Sequence, residues 1–401
     1  MSRITLFTNL TQIVTCHGDT ILAKSAIIVR DKRVIGVRPA KDAFDNYNGA
    51  AVVDCEGGVI TPGFVDSHTH AVFGGTRAAE YEMRSRGLDY MEIARQGGGI
   101  NASVSDVRRR SEDELVELAL PRLYEMVRLG TTTVEIKSGY GLTTADELKT
   151  LRAIQRIAQQ VPLRVVPTFL GAHDIPLEYR DRRADYVAMI INEMIPAVAE
   201  SKLAKFCDVF MEPGAFTRDE SESILRAAAA HGLLLKLHAD EFENSGAAEL
   251  AAQLGAASAD HLGAISDAGV AALAKSPTVA TLLPATLFFL GKTKYAPARK
   301  LIDAGATVAL ATDYNPGTAP SCSMPLVLTM ACSQMRMTPL EAIRAATAGA
   351  AQALRLHDVG SISEGSYADF VLWRVADFRE IPYHFGTPPI AGVWIGGERV
   401  V

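Results

Sequence analysis

A chain of 401 residues with 48% hydrophobic side chains can bury a large core, and a net charge of -6, from 40 Lys+Arg against 46 Asp+Glu, leaves no basic footprint for nucleic acid. Its five cysteines (Cys16, Cys55, Cys207, Cys322 and Cys332) are odd in number and form no CxxC pair, which speaks against a disulfide framework and for a reducing compartment. The opening MSRITLFTNL lacks a basic segment followed by an apolar core, and the longest apolar stretch, Thr278 to Leu290, is broken by Pro284; neither export nor a membrane span is expected, and the location expected is cytoplasmic.

The first fifty residues alternate short β-rich runs with turn signals: ITLFTNL, TQIVTC and ILAKSAIIVRDKRVIGV. The last forty do the same, with ADFVLWRV and AGVWIGGERVV around the Pro-rich YHFGTPPI. Edge strands need partners, so the two ends are expected to pair as one small sandwich-like β domain, residues 1–60 with 355–401. Between them, buried β runs alternate with amphipathic helices. Eight strands are predicted: GGVITPGFVD, TTTVEIKS, RVVPTFLGA, KFCDVFM, LLLKLHA, SADHL, PTVATLLP and TVALATD. Eight such units fit a (β/α)8 barrel over 61–354, an α/β fold of the TIM type; an open doubly wound sheet is the alternative.

At the end of the first barrel run stands Asp66-Ser67-His68-Thr69-His70. Residues two apart on an extended chain point to one side, so His68 and His70 can present two imidazoles to a single ion. His238 in LLLKLH, His261 in SADH and Asp313 in TVALATD fall at the C-terminal tips of other predicted strands, the face where barrel enzymes carry their sites. Closure sets the eighth strand beside the first, which places Asp313 by the histidine pair with His238 across the mouth. Three neutral imidazoles and one carboxylate around a divalent cation favour an activated water, and N/O ligation suits zinc or iron.

These residues, with PGFVDSHTHAVFGGTRAAEYEMR, QGGGI, VEIKSGYGL, TFLGAHDIP, KLHADEFENSG and ATDYNPGTAPS in that order, resemble the imidazolonepropionase family of the amidohydrolase superfamily across nearly the whole chain. The resemblance implies metal-dependent hydrolysis of 4-imidazolone-5-propanoate to N-formimidoyl-L-glutamate in L-histidine degradation. It implies one zinc or iron ion per chain, held by His68, His70, His238 and Asp313. Lys137, which a two-metal relative would carboxylate, is expected to be structural.

Glu241, three residues past His238, is a candidate proton relay, as is His261; Asp313 is a third candidate for the water's proton. An anionic cyclic amide needs an anchor, and Arg77 offers a planar fork for its propanoate. The family likeness adds Tyr140 and His173; Tyr90 is a weaker candidate of the same kind. Asn315, Gly317 and Thr318 are expected to border the substrate, although NPG is turn chemistry in any protein. Gly97-Gly98-Gly99 fits neither phosphate-binding motif and is expected to form a loop over the mouth. A homodimer is the default expectation. The rival readings are a deaminase or another cyclic-amide hydrolase with the same ligand shell, where a neutral nucleobase would not need Arg77, and a non-catalytic scaffold, which would have no reason to keep every ligand.

Overall fold

The computed structural model describes residues 4–88, 92–93 and 98–401. Seven strands form near the start of the chain: β1 (Ile4–Thr8), β2 (Gln12–Val14), β3 (Ile21–Leu22), β4 (Ser25–Arg30), β5 (Arg33–Pro39), β6 (Ala51–Asp54) and β7 (Val59–Pro62). The next eight build the barrel: β8 (Phe64–Asp66), β9 (Thr131–Lys137), β10 (Arg164–Ala172), β11 (Phe206–Met211), β12 (Leu234–Ala239), β13 (Ser258–His261), β14 (Val279–Leu282) and β15 (Val308–Leu310). Three more close the chain: β16 (Phe370–Trp373), β17 (Ile390–Ile395) and β18 (Glu398–Arg399).

β8 to β15 form one parallel sheet in sequence order, with helices between the strands. This is the (β/α)8 arrangement, not the open sheet. Every residue of β9 is buried, and all of β12 except Leu234, because helices cover the outer face while side chains fill the interior. Among the described helices, three start on capping boxes. Ser111 and Glu114 form a capping box on helix Glu112–Arg128, as do Thr217 with Glu220 and Thr338 with Glu341 on theirs.

The seam between β15 and β8 lies beyond the ends of both strands. Asp313 N donates to His68 O at 3.0 Å and His70 N donates to Tyr314 O at 2.9 Å, while Asp66 accepts from Thr312 N at 3.1 Å and Thr312 Oγ1 at 2.6 Å. Burial pushes the Asp66 carboxyl up to about 7 against these donors. The backbone bonds that close the barrel thus run through the residues expected to hold the ion.

The remaining strands form two sheets, β5-β4-β1-β6 and β18-β17-β16-β7-β2-β3. β16 runs antiparallel to β7, so the chain's two ends share a sheet. Phe7 meets Phe370 at 5.3 Å and Trp394 at 5.4 Å, both edge-on, in a core with Ile13, Ile27 and Ile60. One expectation needs correction. GGVITPGFVD is two strands in two sheets, and the expected boundary at residue 60 falls inside β7. The switch is at Gly63: its N bonds Asp369 O at 2.9 Å, and the next residue's N, from Phe64, bonds Gly130 O at 3.0 Å. Glycine is required there, since a Cβ would meet Thr132 side-chain atoms at 2.2 to 2.7 Å.

Among the described residues, no helix is long and apolar enough to cross a membrane.

Candidate active site

His68 and His70 follow β8, and both Nε2 atoms lie 3.5 Å from Asp313 Oδ1. A tetrahedral site with metal–nitrogen bonds of about 2.0–2.1 Å has donor-to-donor edges of about 3.4 Å. The spacing matches. His68, His70 and Asp313 form one grouping able to hold a metal; His238 belongs to two others, with His68 and His261 and with His70 and His173. The His68 and His238 ring centroids are 4.5 Å apart. His68 Nε2 and His238 Nε2 are buried and have no hydrogen-bond partner, a costly state that a metal ligand would resolve. Burial pushes His68 and His70 well below the usual histidine range, which keeps both imidazoles neutral, as ligation requires. On these grounds the donor set fits a divalent ion.

The opposite edges of His68 and Asp313 are also held, whereas His70 Nδ1 has no hydrogen-bond partner. His68 Nδ1 lies 2.7 Å from Asp260 Oδ2, a bond that assigns the proton to Nδ1 and the lone pair to Nε2. His238 Nδ1 is 3.1 Å from Asp208 Oδ2, close but not aligned as a hydrogen bond, while its backbone N donates to Asp208 Oδ1 at 3.2 Å. Thr286 Oγ1 donates to Asp313 Oδ2 at 2.6 Å, leaving Oδ1 toward the histidines.

Three residues at this mouth, His261 (φ 81°), Leu262 (φ 61°) and Asp313 (φ 54°), are non-glycines in the left-handed region. Such strain persists only where surrounding structure over-determines it, and it clusters at functional sites.

Glu241 and His261 face one another, His261 Nδ1 lying 3.6 Å from Glu241 Oε1. Burial, then the charges of Asp313 and Glu212, push the Glu241 carboxyl well above its usual range; burial pushes His261 well below. Glu212 clamps the loop carrying Glu241 by accepting from the backbone N of Glu241, Phe242 and Glu243 at 3.0, 3.0 and 2.7 Å.

The Tyr140 ring lies 5.8 Å from His70 and 5.4 Å from His173, and His173 stacks nearly parallel on His70 at 5.0 Å. Buried Glu147 holds the Tyr140 loop through the backbone N of Gly139, Gly141 and Leu142. Arg77 donates from Nε and Nη2 to Glu80 Oε2 at 3.0 and 2.7 Å, and its guanidinium fills the space beside Gly317 where a Cβ would stand. The Asn315 amide is engaged within its own turn: Oδ1 accepts from Gly317 N and Thr318 N at 2.8 and 2.7 Å, and Nδ2 donates to Asp313 O at 2.7 Å. Turn chemistry therefore accounts for Asn315's bonds. Tyr90 and Gly97 lie outside the described residues; Gly99 caps helix Ile100–Arg109, and its N donates to Glu80 Oε1 at 3.1 Å.

Sequence reasoning missed Asp208, Asp260, Glu135, Lys236 and Thr286. A signal existed for some of them. Lys236 stands two residues before His238 on β12, and Glu135 two before Lys137 on β9, so each shares a face with its partner inside strands that are otherwise apolar.

Comparison with known proteins gives the family. The amidohydrolase family model matches residues 59–400. The imidazolonepropionase of Myxococcus xanthus is 46% identical over an alignment covering 95% of this chain and 93% of the relative; that of Solibacter usitatus is 47% identical, covering 95% and 91%. Among solved structures, an adenosine deaminase from Xanthomonas campestris with bound zinc superposes with TM-score 0.75 at 19% identity, covering 98% of this chain and 92% of the other. An atrazine chlorohydrolase from Arthrobacter aurescens complexed with zinc gives TM-score 0.72 at 18% identity, covering 99% and 95%. At such identities the superpositions speak to the fold alone.

Proposed function

The chain belongs to the amidohydrolase family, among its imidazolonepropionases, and from that premise we propose how its own residues open the ring. The reaction is hydrolysis of a cyclic amide C–N bond, converting 4-imidazolone-5-propanoate to N-formimidoyl-L-glutamate in L-histidine degradation. A metal cofactor accords with the family and with the histidine-rich donor groups. The observation that carries the mechanism is the approach of His68 Nε2 and His70 Nε2 to within 3.5 Å of one oxygen of Asp313.

His68, His70, His238 and Asp313 would hold one zinc or iron ion. When bound, that ion supplies a Lewis acid for the ring carbonyl and lowers the pKa of the attacking water. Lys137 supports a single ion: its Nζ lies fully buried 2.7 Å from Glu135 and 2.8 Å from Asp208, so it is an ammonium already paired and not a group free to bridge a second metal.

His261, held neutral by burial, accepts a proton from the water. Glu241, whose carboxyl is pushed up by burial and its acidic neighbours, delivers one to the departing ring nitrogen as the C–N bond breaks. Arg77 and Tyr140 receive the propanoate, and His173, its Nδ1 fixed 2.9 Å from Gly139 O, turns its other nitrogen to the ring. The turn of Asn315, Gly317 and Thr318 walls the far side.

The test is the loss of imidazolone ultraviolet absorbance together with the metal content of the same sample. Ring opening that depends on one equivalent of metal supports the reading. A fully loaded protein that leaves the imidazolone intact, or two metals at the site, would overturn it.

A further inference from the structure

Five charged side chains with no solvent exposure fill the barrel interior beneath the candidate ligands: Glu135 and Lys137 on β9, Asp208 on β11, Lys236 on β12 and Asp260 on β13. Fully buried charges are rare and costly unless paired, so this cluster needs a reason. Lys137 is its hub. Its Nζ lies 2.7 Å from Glu135 Oε1, 2.8 Å from Asp208 Oδ2 and 3.8 Å from Asp260 Oδ2.

Each of those carboxylates holds a different part of the ligand set. Asp260 Oδ2 accepts from His68 Nδ1 at 2.7 Å. Asp208 takes the His238 backbone N at 3.2 Å and lies 3.1 Å from its Nδ1. Glu135 Oε2 accepts at 3.3 Å from the backbone N of Thr69, the residue between His68 and His70; Thr69 Oγ1 in turn donates to Glu135 O at 2.6 Å. Lys236 reaches Asp260 at 3.5 Å and Ser67 O at 3.2 Å, but neither Asp208 nor Glu135 by any ion pair among the described residues.

We propose that Lys137 is a positioning residue for the metal centre: its one ammonium fixes three carboxylates, and through them the imidazoles of His68 and His238 and the backbone between His68 and His70. The proposal rests on the metal reading above. Without the ammonium, Glu135 and Asp208 become unpaired like charges in a dry interior and must move apart, carrying Thr69 and His238 with them. Partners behind metal-bound histidines typically govern affinity by 10- to 100-fold, and the same range is expected here for the residue that organises three of them.

The experiment uses the full chain as wild type and Lys137→Met, each stripped by chelation and titrated with zinc against a chromophoric competitor, then loaded with cobalt(II) for its visible spectrum. The wild type should bind one equivalent, and Lys137→Met should bind 10- to 100-fold more weakly with an altered cobalt ligand-field band, which general destabilisation would not produce. Glu341→Gln, at a partly buried carboxylate that pairs with Arg299 on the outer helices, is the control: it should lose stability yet keep wild-type affinity and spectrum. If Lys137→Met does not fold, Asp208→Asn and Asp260→Asn carry the test, each with the same expected loss. Wild-type affinity and spectrum in Lys137→Met, or in both aspartate variants, overturn the positioning role alone; a wild type that binds no metal overturns the metal reading and this inference together.

Discussion

Thr286 Oγ1 donates to Asp313 Oδ2 at 2.6 Å, both residues buried, and so decides which carboxylate oxygen faces His68 and His70. Thr286→Val keeps the shape and removes the donor. A hydrogen bond to a charged group contributes about 1.5–3 kcal/mol, so kcat/KM should fall about 10- to 100-fold in the ultraviolet assay. Unchanged kinetics would mean that Asp313 keeps its orientation without Thr286.

Arg77 is already paired with Glu80, their side chains 11% and 14% exposed, so an incoming propanoate meets a fork held in place. Arg77→Ala should lose about 2–5 kcal/mol of transition-state stabilisation, and Arg77→Lys should recover little of it, because an ammonium lacks the two-pronged geometry. The discriminating measurement uses an imidazolone without the propanoate charge. Wild type and variant should open it at similar rates; an equal loss on both compounds would count against the anchor role.

Removing the metal should abolish ring opening and lower stability together, because an ion held by the proposed ligands His68, His70, His238 and Asp313 would bind only their folded arrangement. At a free metal concentration 100 times Kd the native state gains about 2.7 kcal/mol. Melting curves recorded against zinc concentration should therefore rise continuously above Kd. A melting temperature indifferent to metal, with activity still metal-dependent, would put the ion at a different site.

The acid limb of stability should carry a contribution from Glu341. Hydrogen bonds from Arg299, with Thr338 backbone and hydroxyl donors, lower its carboxyl to about 2 in the fold, below its usual value near 4.5. A depressed carboxyl stabilises above its unfolded pKa and loses that contribution as pH falls through the folded one. The stability gap between wild type and Glu341→Gln should thus be constant above about pH 5 and close between about pH 4.5 and 2. Urea titrations across that range measure it, and a gap that widens on acidification would reverse the assigned sign.

Much of this was legible in sequence because its signals are local. His68-Thr69-His70 offers two candidate ligands in three residues, and His238, His261 and Asp313 stand out as candidates by ending apolar runs; the structure brings all five to one mouth. The supports were harder to read. Asp208, Asp260 and Thr286 act on the candidate ligands from other strands and helices, so their contacts depend on strand pairing, helix placement and, for Asp260 with His68, barrel closure, which no local pattern encodes. Arg77 was readable as a candidate anchor, but its pairing with Glu80 depends on how helix Ala78–Ser85 begins. The split of GGVITPGFVD was invisible for a related reason: both halves are apolar and extended, and only the partners, Asp369 on one side and Gly130 on the other, tell them apart.

That split yields a final prediction. Gly63 is the single residue between β7 in the terminal sheet and β8 in the barrel, and an added Cβ would stand 2.2 Å from Thr132 Cγ2, 2.3 Å from its Oγ1 and 2.7 Å from its Cβ. Thr132 is buried on β9 and its hydroxyl bonds Phe64 O at 3.3 Å, so it cannot swing aside without losing that bond. Overpacking in a tight core costs about 1–3 kcal/mol, and here relief requires β8 to move away from β9. Because β8 leads directly to His68, Gly63→Ala should reduce metal affinity as well as stability, whereas an overpacked residue remote from β8 should reduce stability only. Adding Thr132→Ala removes two of the three clashing atoms and should restore part of both losses. Recovery of stability without recovery of metal affinity would show that the terminal sheet does not set the position of the metal-bearing strand.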